Sequence, residues 1–431
     1  MSPLRLLLAA LLLGALAPDP AVPPATRALP ESTGLSLMHR PGPGRADPPL
    51  RPNAEMVGDI LDLAFALESG RPLSRLGRFE GPVRLTVAGP APPSLMPDLD
   101  ALLRRLRVEA GLDVALAGTG ADGPEAAIVI EAVPKASLAL AAPQAACFVV
   151  PNATSFAEFL RLRGSPLLDW EGITTRRRAA VFVPADAAPQ EIRDCLHEEL
   201  AQALGPLNDL SRLPDSVFND DNMHSTLTGF DMLVLRVIHA LPVGITRQEA
   251  AARLPDLLAR LNPQGEQDGR PDAGRTAMAR PDDDIDRREG LAHYALGRSR
   301  AARDPAAAQA AFAAAREHFR RSPLTAIHRA HAEMQLAAYA LAAGDPDRVL
   351  FLTGEAIPTA EAHGNAALLA TLLLLRAEAL EAMGRGEEAA ALRLDGLAWA
   401  RYGFGRGEAV DARLREVQAL NPWRMARSMA G

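Results

Sequence analysis

Hydrophobic and polar positions follow two different periods along the first half of this chain. Apolar residues recur every three or four positions in 56–67 and again in 99–106, which predicts two amphipathic helices. Short apolar stretches between turn residues predict strands instead. These predicted strands cover residues 83–87, 112–117, 127–132, 146–150 and 179–183. The first half of the chain is therefore predicted to form an α+β domain around one sheet.

A further helix is predicted to begin at Pro189, because proline is tolerated in the first turn of a helix. The second half of this helix carries polar residues with a regular spacing. Glu198 and Gln202 are four positions apart and therefore lie on one face. Gly205 allows the chain to reverse, which would bring Asn208 beside them. The pattern predicts that three polar side chains converge at the end of this helix.

The spacing of these residues matches the metzincin zinc-binding motif, H-E-x-x-H-x-x-G-x-x-H. Glu198, Gln202 and Asn208 occupy the three metal-ligand positions, and Glu199 occupies the position of the general base. Zinc prefers histidine, cysteine and carboxylate ligands, so one carboxylate and two amides make a poor zinc site. A hydrogen-bonded cluster is predicted instead, in which Glu198 accepts hydrogen bonds from the amide groups of Gln202 and Asn208.

Two segments after the motif extend the similarity. Residues 216–220 are similar to the metzincin Met-turn, with Ser216 at its start and Phe218 in place of the methionine. Residues 227–236, LTGFDMLVLR, resemble the closing helix of the same fold. Residues 77–262 as a whole resemble a bacterial family of domains of unknown function with the pattern E-E-x-x-Q-x-x-G-x-x-N-D, S-[IV]-F-N-D and L-T-x-x-D-x-L-x-L-R. This resemblance implies a metzincin-like domain in which the motif helix packs on a mixed five-stranded sheet.

The second half of the chain shows a helical pattern that repeats. Residues 263–284 are rich in Gly, Pro, Asp and Arg and are predicted to be a linker. Helix-breaking pairs then recur with a period of about 40 residues, which is typical of helical solenoids. These pairs stand at 304–305, 345–346 and 385–386. Residues 285–425 are therefore predicted to be an all-α domain, and they resemble divergent tetratricopeptide repeats. Such repeats either form a concave groove for a partner segment or serve only as a structural extension.

The N-terminus has the pattern of an export signal. Arg5 precedes an apolar run of the length typical of a signal-peptide core and too short to span a bilayer. Residues 1–28 are predicted to be this signal peptide, with an uncleaved anchor helix as the alternative, and 29–76 to be a proline-rich tether and a lead helix. The predicted location is periplasmic or secreted. In an oxidising compartment Cys147 and Cys195 can form a disulfide; the alternative is two buried thiols.

Composition and charge narrow the range of functions. A net charge of −7 provides no general attraction to nucleic acid or to an anionic membrane. The arginine run 176–178 is interpreted as a solvated surface. Residues 118–123 match G-x-G-x-x-G, but a predicted strand follows them, so a nucleotide site is rejected. His197 projects away from the motif face, whereas His224 could reach the predicted cleft.

Two functional hypotheses follow from these patterns. The first is an exported, non-catalytic metzincin-like protein, a pseudoprotease, that binds a protein or peptide partner in the cell envelope and needs no cofactor. The second is an unorthodox metal-dependent hydrolase with Glu199 as general base. In that case zinc or another divalent metal would be held by Glu198, Gln202, Asn208, Asp209 and His224. Neither hypothesis involves nucleic acid or, after signal cleavage, an integral membrane protein. Because all three motif imidazoles are missing, the binding hypothesis is favoured.

Overall fold

The computed structural model describes residues 38–42, 44, 46–117, 126–219, 223–266 and 283–424. The predicted signal peptide and the G-x-G-x-x-G match lie outside the described residues, as do Asp220 and most of the predicted linker. From Met38 onward the chain belongs to one compact unit.

Helices and strands alternate in the first part of the chain. The helices are α1 (Asn53–Ala64), α2 (Leu95–Glu109), α3 (Lys135–Ala141), α4 (Phe156–Leu162), α5 (Pro189–Leu204), α6 (Gly229–Ala240) and α7 (Arg247–Leu261). The strands are β1 (Arg78–Phe79), β2 (Val83–Ala88), β3 (Val114–Leu116), β4 (Ile128–Val133), β5 (Phe148–Pro151), β6 (Thr175–Arg176) and β7 (Ala179–Pro184). Two short 3-10 helices cover Pro166–Leu168 and Pro263–Glu266, the second of which opens the predicted linker.

A mixed sheet of five strands has the order β3-β2-β4-β7-β5. The first four strands are parallel, and β5 pairs antiparallel with β7 at the edge of the sheet. All six residues of β7 are buried, because its two faces meet different cores. Val181 lies in the main core, and Phe182 packs in a smaller cluster with Phe148 and Phe159. The predicted mixed five-stranded sheet is confirmed.

The main core lies between this sheet and five helices, each of which contributes fully buried apolar side chains. These side chains include Met56 from α1, Leu102 from α2, Leu200 from α5, Leu235 from α6 and Leu254 from α7. Helix α1 precedes residue 77, where the sequence placed the start of the domain, yet it shares the same core.

The motif helix α5 is fixed to the sheet in two ways. It packs against β5 and β7 through its apolar face. Cys195 on α5 also forms a disulfide with Cys147, next to β5, with the sulfur atoms 2.05 Å apart. The helix begins at Pro189, which occupies its first turn as predicted. The sheet, the disulfide and the core together determine where the motif side chains lie.

The second part of the described chain is helical. Its helices are α8 (Asp283–Arg300), α9 (Pro305–Phe319), α10 (Ala326–Ala342), α11 (Pro346–Ala362), α12 (Ala366–Ala382), α13 (Gly386–Phe404) and α14 (Gly407–Ala419), with a 3-10 helix at Pro323–Thr325. Asp304 and Asp345 cap α9 and α11 by accepting backbone hydrogen bonds, and a proline follows each cap. The predicted all-helical C-terminal region is therefore confirmed. Within the described ranges, no helix has the length and apolar character needed to cross a membrane.

Buried polar contacts join the helical region to the first half of α5. The Tyr402 hydroxyl of α13 donates to Asp98 Oδ2 of α2 at 2.9 Å. Arg193 of α5 donates through Nη2 to the carbonyl of Gly364 at 2.6 Å and also lies against the Tyr402 ring. The first half of α5 therefore contacts the helical region, while its second half carries the motif.

Candidate functional site

The two motif amides are hydrogen-bonded, but their partners differ from those expected. Gln202 Nε2 donates to Glu68 Oε1 at 2.9 Å. Asn208 Nδ2 donates to the carbonyl of Asp62 at 3.1 Å. The sequence predicts instead that both amides donate to Glu198. The amides therefore attach the end of α5 to the segment that follows α1.

The path of the chain after α5 explains this difference. A Cβ added to Gly205 would lie 3.1 Å from Ile238 Cδ1, so the chain passes close against α6 at this point. The Leu207 amide then donates to the Leu63 carbonyl at 3.0 Å, and its carbonyl accepts from the Glu68 amide at 3.1 Å. Residues 62–68 consequently lie beside the motif and supply its hydrogen-bond acceptors.

Glu199, at the general-base position, is a buried carboxyl whose environment disfavours its charged form. Its side chain is buried, with 5% exposed. Burial raises the pKa of Glu199 well above 4.5, and the nearby charges of Glu198, Glu68 and Asp209 raise it further. A hydrogen bond from the Val149 backbone acts in the opposite direction. Among the described residues, no group hydrogen-bonds to its Oε2 atom. Burial therefore disfavours the charged form, which is the form in which a carboxyl acts as a general base.

The acidic side chains around the motif do not form a compact ligand set. Within the described part of the chain, one group of three possible metal ligands has all its donor atoms within 4.8 Å of one another. It consists of Asp286, Glu289 and His318, on α8 and α9 and away from the motif. Arg321 donates to Asp286 Oδ1 at 2.6 Å, so a cation already neutralises part of that group.

Arg176 closes the C-terminal end of the motif helix. Its guanidinium donates to the carbonyls of Gln202, Ala203 and Gly205 at 2.7, 2.7 and 2.8 Å. The Gln202 carbonyl also accepts a hydrogen bond from the Gly205 amide at 3.3 Å, and Arg176 supplies the side-chain donors at this end of the helix. A cation there also interacts favourably with the helix dipole. Burial lowers the pKa of Arg176 to about 9. Arg176 is buried. The interpretation of the arginine run 176–178 as a solvated surface is therefore wrong for Arg176.

The turn that resembles the Met-turn is attached to α6 through Asp231. Ser216 Oγ donates to Asp231 Oδ1 at 2.5 Å, and the backbone amides of Val217 and Thr228 donate to Oδ2 at 3.2 and 2.8 Å. Burial raises the pKa of Asp231, and these hydrogen bonds oppose that effect. Phe218 is fully buried in the main core. The turn therefore has a structural role beneath the motif.

The two histidines closest to the motif in sequence do not act on it. His197 Nδ1 accepts a hydrogen bond from the Leu227 amide at 3.1 Å, which is consistent with its predicted direction. Burial and nearby arginines lower the pKa of His197 well below 6.5. His224 donates through Nε2 to the Pro214 carbonyl at 2.9 Å, and its ring lies 5.5 Å from that of His363. The contacts of His224 therefore lie at the boundary with the helical region.

A groove of about 450 Å³ lies in the helical region. Helices α10, α12 and α14 supply most of its lining, and Phe404 of α13 and Gln190 from the first turn of α5 also line it. We call this cavity the repeat groove. Its side chains include Gln190, His331, Met334, Gln335, Ala338, Asn365, Thr371, Phe404, Arg413 and Glu416.

Two residues of the site were not predicted from the sequence. Glu68 is the hydrogen-bond partner of Gln202 although 134 positions separate them. No periodicity or motif marks Glu68. Arg176 carried a weak signal, since it stands three positions before the buried strand β7.

Comparison with known proteins assigns part of the chain to a family model. Residues 53–256 match a family described as "Protein of unknown function (DUF2927)". The match begins at α1, in agreement with the place of that helix in the main core. No curated protein and no solved structure matches the chain. The comparison supports a domain of unknown function and leaves its activity to be inferred from the site.

Proposed function

We propose that this is an exported, non-catalytic metalloprotease-like protein that binds an extended peptide segment of a partner protein in the cell envelope. The observation that carries the proposal is the repeat groove, whose lining includes Gln190 of the motif helix. Export is inferred from the N-terminal pattern. The disulfide between Cys147 and Cys195 agrees with an oxidising compartment.

The state of the motif supports a structural role for it. Gln202 and Asn208 use their amide groups to hold neighbouring segments together. Burial and the neighbouring acidic groups disfavour the negative charge of Glu199, the form in which a carboxyl acts as a general base. The order of strand, helix, further strands and motif helix supports the metzincin-like assignment of the domain. We infer that the domain keeps a protease-like frame as a rigid support for the repeat groove.

The repeat groove offers the contacts that an extended peptide needs. Met334 and Phe404 supply apolar surface for one anchoring side chain. Gln335 supplies an amide for the peptide backbone, whose N–H and C=O groups must be satisfied on binding. Arg413 lies 5.0 Å from the centre of the Phe404 ring and pairs with Glu416 at 3.1 Å. The groove therefore suits a peptide with one apolar residue near an acidic one.

Replacing Ala338 with arginine is expected to block the repeat groove, because Ala338 is a half-buried small residue on its α10 wall. Peptides selected from a random library on the parent protein should bind this variant at least about tenfold more weakly. Isothermal titration calorimetry measures the difference. The matched control is Ala391→Arg, which places the same side chain at an exposed position of α13 and should leave the affinity unchanged. Equal affinity of the parent and the Ala338→Arg variant would refute this use of the groove.

A second candidate, a metal-dependent hydrolase, is favoured by one observation. Glu199 Oε2 is a buried oxygen without a hydrogen-bond partner among the described residues, and three acidic side chains lie near it. Carboxylate and amide oxygens together suit a hard divalent cation. For this candidate, added Mn²⁺ should raise the melting temperature of the parent but not of an Asn208→Leu variant. Peptide hydrolysis should also disappear in Glu199→Gln. If Mn²⁺ shifts the melting temperature of the parent and of Asn208→Leu equally, or shifts neither, the hydrolase is rejected.

A further inference from the structure

Four of the nine histidines gather where the first part of the chain meets the helical region. The ring centre of His224 lies 5.5 Å from that of His363 and 5.9 Å from that of His328. His328 and His331 are three positions apart on α10 and therefore share a face of that helix. His363 directly follows α11. A loop, α10 and the end of α11 thus bring imidazoles together from distant parts of the sequence.

A metal ion binds an imidazole through the lone pair of a ring nitrogen, so the hydrogen bonds of these rings decide which nitrogen can act as a ligand. His224 donates through Nε2 to the Pro214 carbonyl, which leaves Nδ1 as its lone-pair nitrogen.

The spacing of the rings is close to that of imidazoles on one ion. Zinc–nitrogen bonds are about 2.0 Å long, so two imidazoles on a tetrahedral ion have ring centres about 5 Å apart. The two measured separations from His224 exceed this value by less than about 1 Å. A cavity of about 220 Å³, lined by His224, His363 and Asp215, adjoins the rings and gives space for an ion to enter.

We propose that His224, His328 and His363 bind one divalent transition-metal ion of the zinc or nickel type. Imidazole nitrogen is a preferred ligand of these ions. The donor nitrogens of these three rings do not all lie within 4.8 Å of one another. Binding therefore requires the rings to rotate about their side-chain bonds. The bound ion would link the loop before α6 to α10 and α11. His331, three positions after His328 on α10, lines the repeat groove, so α10 borders both the proposed ion site and the groove.

Zinc binding to the full mature protein tests this proposal. Equilibrium dialysis against ZnCl₂ at pH 7.5, followed by elemental analysis, should show one ion per chain. His224→Ala should weaken binding at least about 100-fold, because it removes one of three ligands. His224 is half-buried in a loop, so this variant is expected to fold, and circular dichroism without metal checks that. The absorption spectrum of the Co²⁺-loaded parent gives a second measurement, since imidazole ligation changes its visible bands.

The control variant is His318→Ala, which removes the histidine of the separate group formed with Asp286 and Glu289. It should bind zinc as the parent does. The proposal is overturned if the parent binds no zinc. It is also overturned if His318→Ala loses the ion while His224→Ala retains it, because the ion would then belong to the α8–α9 group.

Discussion

Replacing Arg176 with methionine is expected to lower the free energy of unfolding by about 2–4 kcal/mol. Methionine keeps most of the apolar stem of the side chain and removes the guanidinium. The carbonyls of Gln202, Ala203 and Gly205 then lose the donors that Arg176 supplies at the buried end of α5. Each buried carbonyl left without a partner costs about 1–3 kcal/mol.

A second effect reduces the expected loss of unfolding free energy but does not reverse its sign. The guanidinium is desolvated, as the lowering of its pKa to about 9 indicates, so the parent protein already bears a cost for burying the charge. Removing the charge recovers part of that cost. The carbonyls of Ala203 and Gly205 are left unpaired, while the Gln202 carbonyl keeps its 3.3 Å hydrogen bond from the Gly205 amide. Because the favourable interaction with the helix dipole is also lost, the net change remains destabilising.

Urea denaturation of the parent and the Arg176→Met variant measures this difference. Arg177→Met is the matched control, because Arg177 is the exposed neighbour of Arg176 and the same change should alter stability by less than about 0.5 kcal/mol. If the two variants were equally stable, Arg176 would not hold the end of the motif helix.

The strands and the motif helix could be predicted because each has a local pattern. Apolar residues alternate with Arg84 and Thr86 in Val83–Ala88, which becomes a half-buried strand, and the apolar stretch Ala179–Pro184 becomes a fully buried one. Pro189 marks the start of α5. Asp304 and Asp345 each precede a proline, a pattern that places helix starts in the helical region. These signals need only a few neighbouring residues, which is why one sequence is enough to detect them.

The partners of the motif could not be predicted, because they depend on contacts between distant segments. Nothing near Glu68 or Asp62 indicates that they accept hydrogen bonds from Gln202 and Asn208. The same is true of Tyr402, which bonds to Asp98 across 304 positions. Spacing alone gives the direction of a side chain on its helix, whereas the partner depends on how separate elements pack.

Replacing Glu199 with glutamine is expected to stabilise the protein at pH 7 by about 1–3 kcal/mol. Glutamine has nearly the same shape as glutamate and carries no charge. The folded variant therefore bears neither the free-energy cost of a buried negative charge nor the cost of binding a proton at pH 7. Its amide can also donate to the carboxylates of Glu198, Glu68 and Asp209, whose charges disfavour ionisation of Glu199.

The gain from Glu199→Gln should depend on pH in a defined direction. The pKa of Glu199 in the folded protein is raised above its unfolded value of 4.5. Between these two values the folded state binds more protons than the unfolded state, so the parent loses stability as pH rises. The stabilisation by Glu199→Gln should therefore be small below pH 4.5 and grow above it. Glu387→Gln, at an exposed position of α13, is the control and should show no such growth.

The difference in unfolding free energy between the parent and Glu199→Gln, measured by urea denaturation from pH 4 to pH 8, tests most directly whether the motif is structural. We expect the variant to become progressively more stable than the parent as pH rises above 4.5. The opposite result is a parent that is more stable than the variant at pH 7, by a difference that grows when Mn²⁺ is added. It would show an ionised Glu199 beside a bound metal and would contradict the non-catalytic account.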